Sequence, residues 1–144
     1  MTDIRVETVL DAPPDVVWAD VRTIATHADW MHDAESITFT SDHHEGLGAT
    51  FDVATKVGPI RLTDRMEITE WIDEEVMGVR HVGVVTGVGR FTLTPFGTDK
   101  TRFVWAETLT FPWWLGGPLG GLVGGQILKL IWKRNLKGLA ARFA

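Results

Sequence analysis

The last third of the chain most constrains what the protein can fold into. No charged residue occurs from Phe111 to Leu128, whereas basic residues recur at helical spacing afterwards. At about 100° per residue, Gln126 and most of these basic residues share one arc of a helix, and large apolar residues fill the opposite arc. The pattern predicts a long amphipathic helix that needs an extensive apolar partner. The basic arc contains Lys129, Lys133, Arg134 and Lys137, and the apolar arc contains Ile127, Leu128, Ile131, Trp132, Leu136, Leu139 and Phe143.

Two features distinguish this helix from an ordinary core helix. Gly117, Gly121 and Gly125 recur at every fourth position, although a glycine inside a helix costs about 1 kcal/mol relative to alanine. The repeat indicates close backbone packing, a helix wall left bare for a ligand, or a partner surface such as the face of a homodimer. Asn135 falls inside the apolar arc, where it is either a hydrogen-bonded core amide or a ligand contact.

Upstream of this helix, apolar and polar residues alternate with the period of β-strands. Residues 15–22 and 26–32, which follow the first strand, are predicted to form two short helices. We therefore expect a single α+β domain over residues 1–144. In this domain a curved antiparallel sheet of about seven strands wraps around the long C-terminal helix. The predicted strands cover residues 4–10, 35–41, 48–57, 60–71, 75–82, 86–96 and 100–111.

The composition narrows the classes of function. The 144 residues include no cysteine, which excludes disulfides, thiolate nucleophiles and Cys-based metal sites. The net charge of −5 disfavours nucleic acid binding. Neither an HExxH motif, a P-loop nor a Gly-x-Ser-x-Gly elbow occurs, so we expect no metal and no cofactor. The N-terminus lacks the basic and apolar regions of a signal peptide, and we expect a cytoplasmic protein.

Several local motifs follow one another along the chain: the strand ending in Ala12-Pro13-Pro14, then Asp15-Val16-Val17-Trp18, Asp29-Trp30-Met31, and a glycine-rich loop that leads into a basic amphipathic helix. These motifs and the order of elements resemble the START-like (SRPBCC) superfamily. Within it, the chain is most similar to the polyketide cyclase/dehydrase and lipid-transport group. The resemblance implies a helix-grip fold with a hydrophobic cavity between the sheet and the C-terminal helix, which in many relatives receives a lipid, sterol, quinone or polyketide.

Three ionisable residues interrupt the apolar faces of strands and are candidates for proton transfer. Asp64 and Glu107 each stand in a row of alternating apolar residues, and His81 shares a strand face with Met77 and Val79. Burial raises the pKa of carboxylic acids, and histidine changes charge near neutral pH, so all three suit acid–base chemistry inside a cavity. The alternative is that each simply pairs with a neighbouring arginine or hydrogen-bonding group.

Three functional hypotheses follow. The leading one is a binding protein for a hydrophobic or aromatic molecule, such as a lipid, a quinone or a polyketide-like compound. A polyketide cyclase or dehydrase that uses the same cavity for aldol-type cyclisation or dehydration is the second, and its chemistry rests on the resemblance. The third is a membrane-peripheral or protein-interaction module that uses Trp113, Trp114 and the basic helix face.

The leading hypothesis names the residues expected to contact the ligand. His27 and Trp30, on the two short helices, are candidate residues of the cavity mouth, with exposed surface positions as the alternative. The expected ligand-contacting residues are Trp30, Phe51, Val53, Leu62, Met66, Phe91, Leu93, Phe103, Trp105, Ile127, Ile131 and Asn135.

Overall fold

The computed structural model describes residues 1–144, except for the side chains of residues 117–119. Gly117, the first member of the predicted glycine repeat, therefore lies outside the described residues. Short 3-10 turns at residues 24–26 and 113–115 precede the second and third α-helices. The elements are β1 (Thr2–Leu10), α1 (Pro14–Val21), α2 (His27–Trp30), β2 (Ala34–Phe39), β3 (Thr50–Val57), β4 (Ile60–Ile72), β5 (Val76–Val82), β6 (Thr86–Phe96), β7 (Lys100–Thr110) and α3 (Gly117–Ala141).

The seven strands form one antiparallel sheet in the order β1-β7-β6-β5-β4-β3-β2. Strands β2 to β7 follow one another as hairpins, and β1 joins the sheet beside β7. The register shifts between Ala34 and Ser36 in β2 and between Ile68 and Glu70 in β4. Because such bulges bend a strand and increase its twist, they favour curvature of the sheet. The sheet therefore presents a concave face to the helices.

The two short helices connect β1 to β2. Pro14 occupies the start of α1, where its missing N–H costs no hydrogen bond. Helix α1 contacts β6 and β7, whereas α2 contacts β2 and α3. Trp18 of α1 and Trp71 of β4 both donate an indole N–H to Asp73 Oδ1, at 3.2 and 3.1 Å. The carboxylate of Asp73 thereby joins α1 to the turn after β4.

Helix α3 packs chiefly on β1, at one edge of the sheet. Gly121 and Gly125 are buried against Thr2 of that strand. A Cβ at Gly125 would lie 2.7 Å from Thr2 Cγ2, and a Cβ at Gly121 would overlap Thr2 Oγ1. These two glycines therefore serve close packing, the first of the alternatives raised by the sequence. Because the helix is seated at the β1 edge, its backbone leaves the concave face of the more distant strands uncovered.

Asn135 is a hydrogen-bonded core amide and not a free polar group. Its side chain is completely buried. Asn135 Oδ1 accepts a hydrogen bond from the backbone N–H of His32 at 2.8 Å, and Asn135 Nδ2 donates to Asp33 Oδ1 at 2.8 Å. Farther along, Arg142 is ion-paired with Asp20 of α1 at 2.6 Å. These contacts tie the C-terminal half of α3 to the segment that contains the short helices.

The structure confirms the predicted helix-grip architecture, a seven-stranded antiparallel sheet with a long C-terminal helix. Half of the strand ends coincide with the predicted ones, and the other half differ by one or two residues. The clearest difference is α2, which is a single turn and not the seven-residue helix expected over 26–32, because Met31 already has extended backbone angles (φ −90°, ψ 107°). Among the described residues, no helix is both long enough and apolar enough to cross a membrane.

Candidate functional site

A cavity of about 360 Å³ lies between the N-terminal half of α3 and the concave face of the sheet. On the helix side it is bounded by Gly120, Val123, Gly124 and Ile127, and most of the lining side chains are apolar. Val123, Ile127 and Ile60 of the β3–β4 hairpin are partly exposed as well as lining the cavity. The opening therefore lies between this hairpin and α3.

Three ionisable side chains, the acid–histidine cluster of Asp64, His81 and Glu107, form a polar part of the cavity wall. His81 Nδ1 lies 3.0 and 3.1 Å from the two carboxylate oxygens of Asp64, and His81 Nε2 contacts Glu107 Oε1. Trp105 donates its indole N–H to Glu107 Oε2 at 2.8 Å. The side chains of His81 and Glu107 are 4% and 5% exposed, and that of Asp64 is 17% exposed. The structure thus brings together the three candidates that the sequence offered separately.

Glycines on β6 allow His81 and Glu107 to meet. His81 belongs to β5 and Glu107 to β7, so the two side chains must reach across β6, with neighbouring strands about 4.8 Å apart. At this level β6 carries Gly87, which pairs with His81, and Gly89, which pairs with Glu107. A Cβ at Gly89 would lie 2.6 Å from Glu107 Oε1. The missing side chain at Gly89 therefore provides space that the Glu107 carboxylate occupies.

The cluster holds His81 in its charged form. Burial by itself lowers the pKa of the imidazole, but the hydrogen bonds and negative charges of Asp64 and Glu107 outweigh burial and raise the pKa of His81 to about 10. Both ring nitrogens of a charged imidazole carry hydrogen and donate. At neutral pH the ring is therefore an imidazolium between two carboxyl groups.

His27 lines the same cavity in a contrasting environment. It is buried, and its ring packs against Trp30 and Phe91 with centroid distances of 5.4 and 5.6 Å. Burial lowers the pKa of His27 to about 4, although a hydrogen bond to the Val21 carbonyl opposes this shift. The neutral ring donates its Nε2–H to that carbonyl at 2.7 Å, which leaves Nδ1 as an acceptor. The expectation of a mouth or surface position for His27 and Trp30 was wrong, because both are packed into the aromatic core.

A pair of stacked indoles joins the sheet to the helix in the cavity wall. The rings of Trp105 on β7 and Trp132 on α3 lie 4.3 Å apart between centroids, with planes 11° from parallel. Phe91 packs edge-on against Trp105 at 5.3 Å. Because Trp105 also donates to Glu107, the stack fixes one partner of the acid–histidine cluster.

Most of the residues expected to contact a ligand do line the cavity, and five do not. Leu93 and Phe103 are paired neighbours on β6 and β7 and are buried in the core without lining the cavity. Trp30 is buried against Trp105, and Asn135 is occupied by the hydrogen bonds described above. Ile131 packs against the core without reaching the cavity. The residues that line it are Phe51, Val53, Leu62, Met66, Phe91, Trp105 and Ile127.

Several cavity residues were not identified from the sequence. Ile37 lies within β2, whereas Met31 and Asp33 lie in the short connection between α2 and β2, and Phe111 lies in the connection that follows β7. Segments of this kind have too little periodicity to assign a face. Strand alternation does place Val79 on the same face as His81, so its position in the cavity wall could have been predicted from the sequence.

Exposed apolar side chains lie on the outside of α3 and on the turn before it. Basic residues also lie on the outer face of the helix. Trp113 is 85% exposed and Leu130 is 69% exposed, and Trp114 and Leu122 are exposed as well. Lys129 and Lys133 lie on the same outer face of the helix by their spacing. Contact of this surface with a membrane or a partner protein stays a prediction.

Comparison with known proteins relates the whole chain to one family. A family model described as polyketide cyclase / dehydrase and lipid transport matches residues 1–144. No curated protein matches the sequence significantly.

Solved structures share the fold at low sequence identity. A START superfamily protein from Mycobacterium smegmatis superposes with a TM-score of 0.82 at 9% identity, covering 99% of this chain and 97% of that protein. A protein from Thermus thermophilus has a TM-score of 0.77 at 22% identity, with coverages of 98% and 96%. The Zhui aromatase/cyclase from Streptomyces sp. R1128 has a TM-score of 0.67 at 16% identity, with coverages of 96% and 88%.

Proposed function

The chain belongs to the polyketide cyclase/dehydrase and lipid transport family, and from this premise we propose that it binds a hydrophobic or aromatic small molecule in the cavity under α3. The observation that carries the proposal is the cavity itself, about 360 Å³ in volume and mostly apolar. Protein interiors are normally close-packed, with few voids larger than a water molecule. A hollow of this size is therefore best explained by an apolar occupant such as a lipid, a quinone or a polyketide-like compound.

The glycine at position 124 supports this proposal. An interior glycine costs a helix about 1 kcal/mol relative to alanine. Unlike Gly121 and Gly125, Gly124 is not required by packing, since a Cβ there would have only the ring of Phe111 nearby, at 3.9 Å. Gly124 lines the cavity. Its bare backbone therefore enlarges the space for a ligand.

A neutral apolar dye tests the proposal directly. We expect the fluorescence of N-phenylnaphthylamine to rise saturably, with one dye bound per chain. Burial of about 250 Å² of its apolar surface would contribute about 6 kcal/mol at about 25 cal/mol per Å², less the cost of association. Fluorescence titration is therefore expected to give a dissociation constant no tighter than a few tens of micromolar, the value to which about 6 kcal/mol alone corresponds. A dye signal that fails to saturate, together with native mass spectra that show no bound apolar compound, would contradict the proposal.

The second candidate function is acid–base catalysis in the same cavity, as in a polyketide cyclase or dehydrase. The observation that favours it is a buried acid–histidine cluster in an apolar wall, because buried ionisable groups with shifted pKa values concentrate at catalytic sites. Because both N–H groups of the His81 imidazolium already donate to Asp64 and Glu107, the proton for a departing hydroxyl group would pass from His81 through one of these carboxyl groups. The other carboxylate is suited to accept a proton from the carbon next to a carbonyl. Together these two steps are a dehydration.

Substitution of Glu107 tests whether this residue takes part in catalysis. If the protein dehydrates an aromatic β-hydroxy ketone, Glu107→Gln is expected to lower the rate by at least about a hundredfold, since general acid–base groups contribute about 10²–10⁴. Ultraviolet absorbance of the conjugated product measures the rate. Glu70→Gln is the matched control, because Glu70 is ion-paired with Arg90 and does not line the cavity. An unchanged rate in Glu107→Gln would remove this residue from the mechanism.

A further inference from the structure

We infer that the cavity prefers apolar molecules that carry an ammonium or hydroxyl group and rejects those that carry a carboxylate, because the acid–histidine cluster offers acceptors and negative charge to a ligand. This inference rests on the proposed binding function and specifies the chemical class of the ligand.

The donors of the cluster are already occupied within it. His81 directs Nδ1 to Asp64 and Nε2 to Glu107, and Trp105 directs its indole N–H to Glu107 Oε2. These three N–H groups are the donors that the cluster and its tryptophan contain. A ligand carboxylate, which is an acceptor, would therefore meet no free donor in the cluster.

Acceptor capacity, in contrast, remains. Two carboxylates have about eight lone-pair sites, far more than three N–H groups can occupy. Both oxygens of Asp64 share the single Nδ1–H of His81, at 3.0 and 3.1 Å. Asp64 is also the most exposed of the three side chains, at 17%. The Asp64 carboxylate is therefore the group best placed to accept a hydrogen bond from a ligand.

The other charged groups around the cavity point to the same preference. Besides Asp64 and Glu107, the wall includes the carboxylate of Asp33. The guanidinium of Arg90 is ion-paired with Glu70 at 2.7 Å and is half-exposed. His27 is neutral because burial lowers its pKa to about 4. Within the described wall of the cavity, each cation thus has a carboxylate partner, and the carboxylates outnumber the cations.

The excess of carboxylates over cations in the cavity wall is expected to discriminate between ligands by their charge. Charges interact more strongly in a poorly hydrated site than in water, and a charge that is buried without a partner is disfavoured. An ammonium group beside Asp64 gains a charge-assisted hydrogen bond, whereas a carboxylate there faces repulsion and finds no partner. A hydroxyl group, which donates without a charge, falls between them.

Three ligands with the same apolar body test the inference in the wild-type protein. Naphthylmethylamine, naphthylmethanol and naphthoate are titrated at neutral pH by displacement of N-phenylnaphthylamine. We expect the amine to bind at least ten times more tightly than naphthoate, with the alcohol between the two. Equal affinities, or tighter binding of naphthoate, would overturn the inference while leaving the proposed binding function intact. Failure of the neutral dye itself to bind would overturn both.

Two matched variants test whether Asp64 causes the preference for the amine over naphthoate. Asp64→Asn removes the exposed carboxylate without changing the size of the side chain, and we expect the ratio of amine to naphthoate affinity to fall at least fivefold. The ratio is measured within one variant, so a general weakening of binding does not change it. Asp52→Asn makes the same charge change on β3 at a residue that does not line the cavity, and the ratio should stay as in the wild type. An equal fall in both variants would assign the preference to overall charge and overturn the role of Asp64.

Discussion

Replacing His81 with leucine is expected to lower the free energy of unfolding by about 3–5 kcal/mol, the typical cost of removing one partner from a buried ion pair. The imidazolium lies between Asp64 and Glu107, and both contacts are lost together. The carboxyl group of Glu107, only 5% exposed, would be left without its cationic partner. Denaturation in urea at neutral pH, followed by circular dichroism, measures the change.

The loss of stability in His81→Leu is also expected to depend on pH in a characteristic way. The pKa of His81 is about 10 in the folded protein, above its ordinary value of 6.5. The stabilisation that comes from its charge is therefore complete below pH 6.5 and is lost as the pH rises towards 10. The difference between the wild type and His81→Leu should be largest near pH 6 and narrow steadily in alkaline solution.

Two further variants distinguish a charge effect from a simple packing defect. His27→Gln should leave the alkaline slope unchanged, because the pKa of His27 is lowered to about 4 and the ring stays neutral over that range. Adding Asp64→Asn and Glu107→Gln to His81→Leu removes the unpaired carboxylates and should recover most of the lost stability. A triple variant as unstable as His81→Leu alone would show that the loss comes from shape and not from charge.

Filling the cavity from the helix side is expected to abolish most ligand binding without unfolding the protein. Gly124→Phe projects a ring from α3 into the cavity, where a Cβ meets only Phe111 at 3.9 Å. Blocking about 100 Å² of ligand surface would cost about 2.5 kcal/mol at about 25 cal/mol per Å². This corresponds to a loss of affinity close to a hundredfold. Titration with N-phenylnaphthylamine measures the loss.

The same substitution should not destabilise the fold. Phenylalanine has a higher helix propensity than glycine by a few tenths of a kcal/mol, and the ring would fill apolar space. We therefore expect an unchanged or higher melting temperature. Gln126→Phe adds the same ring at an exposed position of α3 that does not line the cavity, and it should bind the dye like the wild type. Unimpaired binding by Gly124→Phe would place the ligand somewhere other than this cavity.

Periodicity predicted the fold well because the strands and α3 each have one apolar face. The charge-free run followed by helically spaced lysines identified α3, and the alternation of β7 buries every second residue from Thr101 to Leu109. Local rules were less successful for α2, where extended angles at Met31 end the helix after one turn. The position at which α3 packs on the sheet could not be predicted from the sequence either. Its position at the β1 edge depends on the fit of Gly121 and Gly125 against Thr2.

The acid–histidine cluster shows what alternation can reveal about a site and what it cannot. Alternation indicated that Asp64, His81 and Glu107 each interrupt an apolar face, but not that they contact one another. Their contact depends on strand order, which places β6 between His81 and Glu107. A sequence signal did exist in the two glycines of Gly87-Val88-Gly89, since glycines inside a strand indicate close approach by another group.

The stacked indoles of Trp105 and Trp132 are intrinsic fluorescence probes located in the cavity wall. One ring is attached to the sheet and the other to the helix, and Trp105 is also hydrogen-bonded to the carboxylate of Glu107. Entry of a guest beneath the helix is therefore expected to change the intrinsic fluorescence of the protein, to which these two of its seven tryptophans contribute, without any added label.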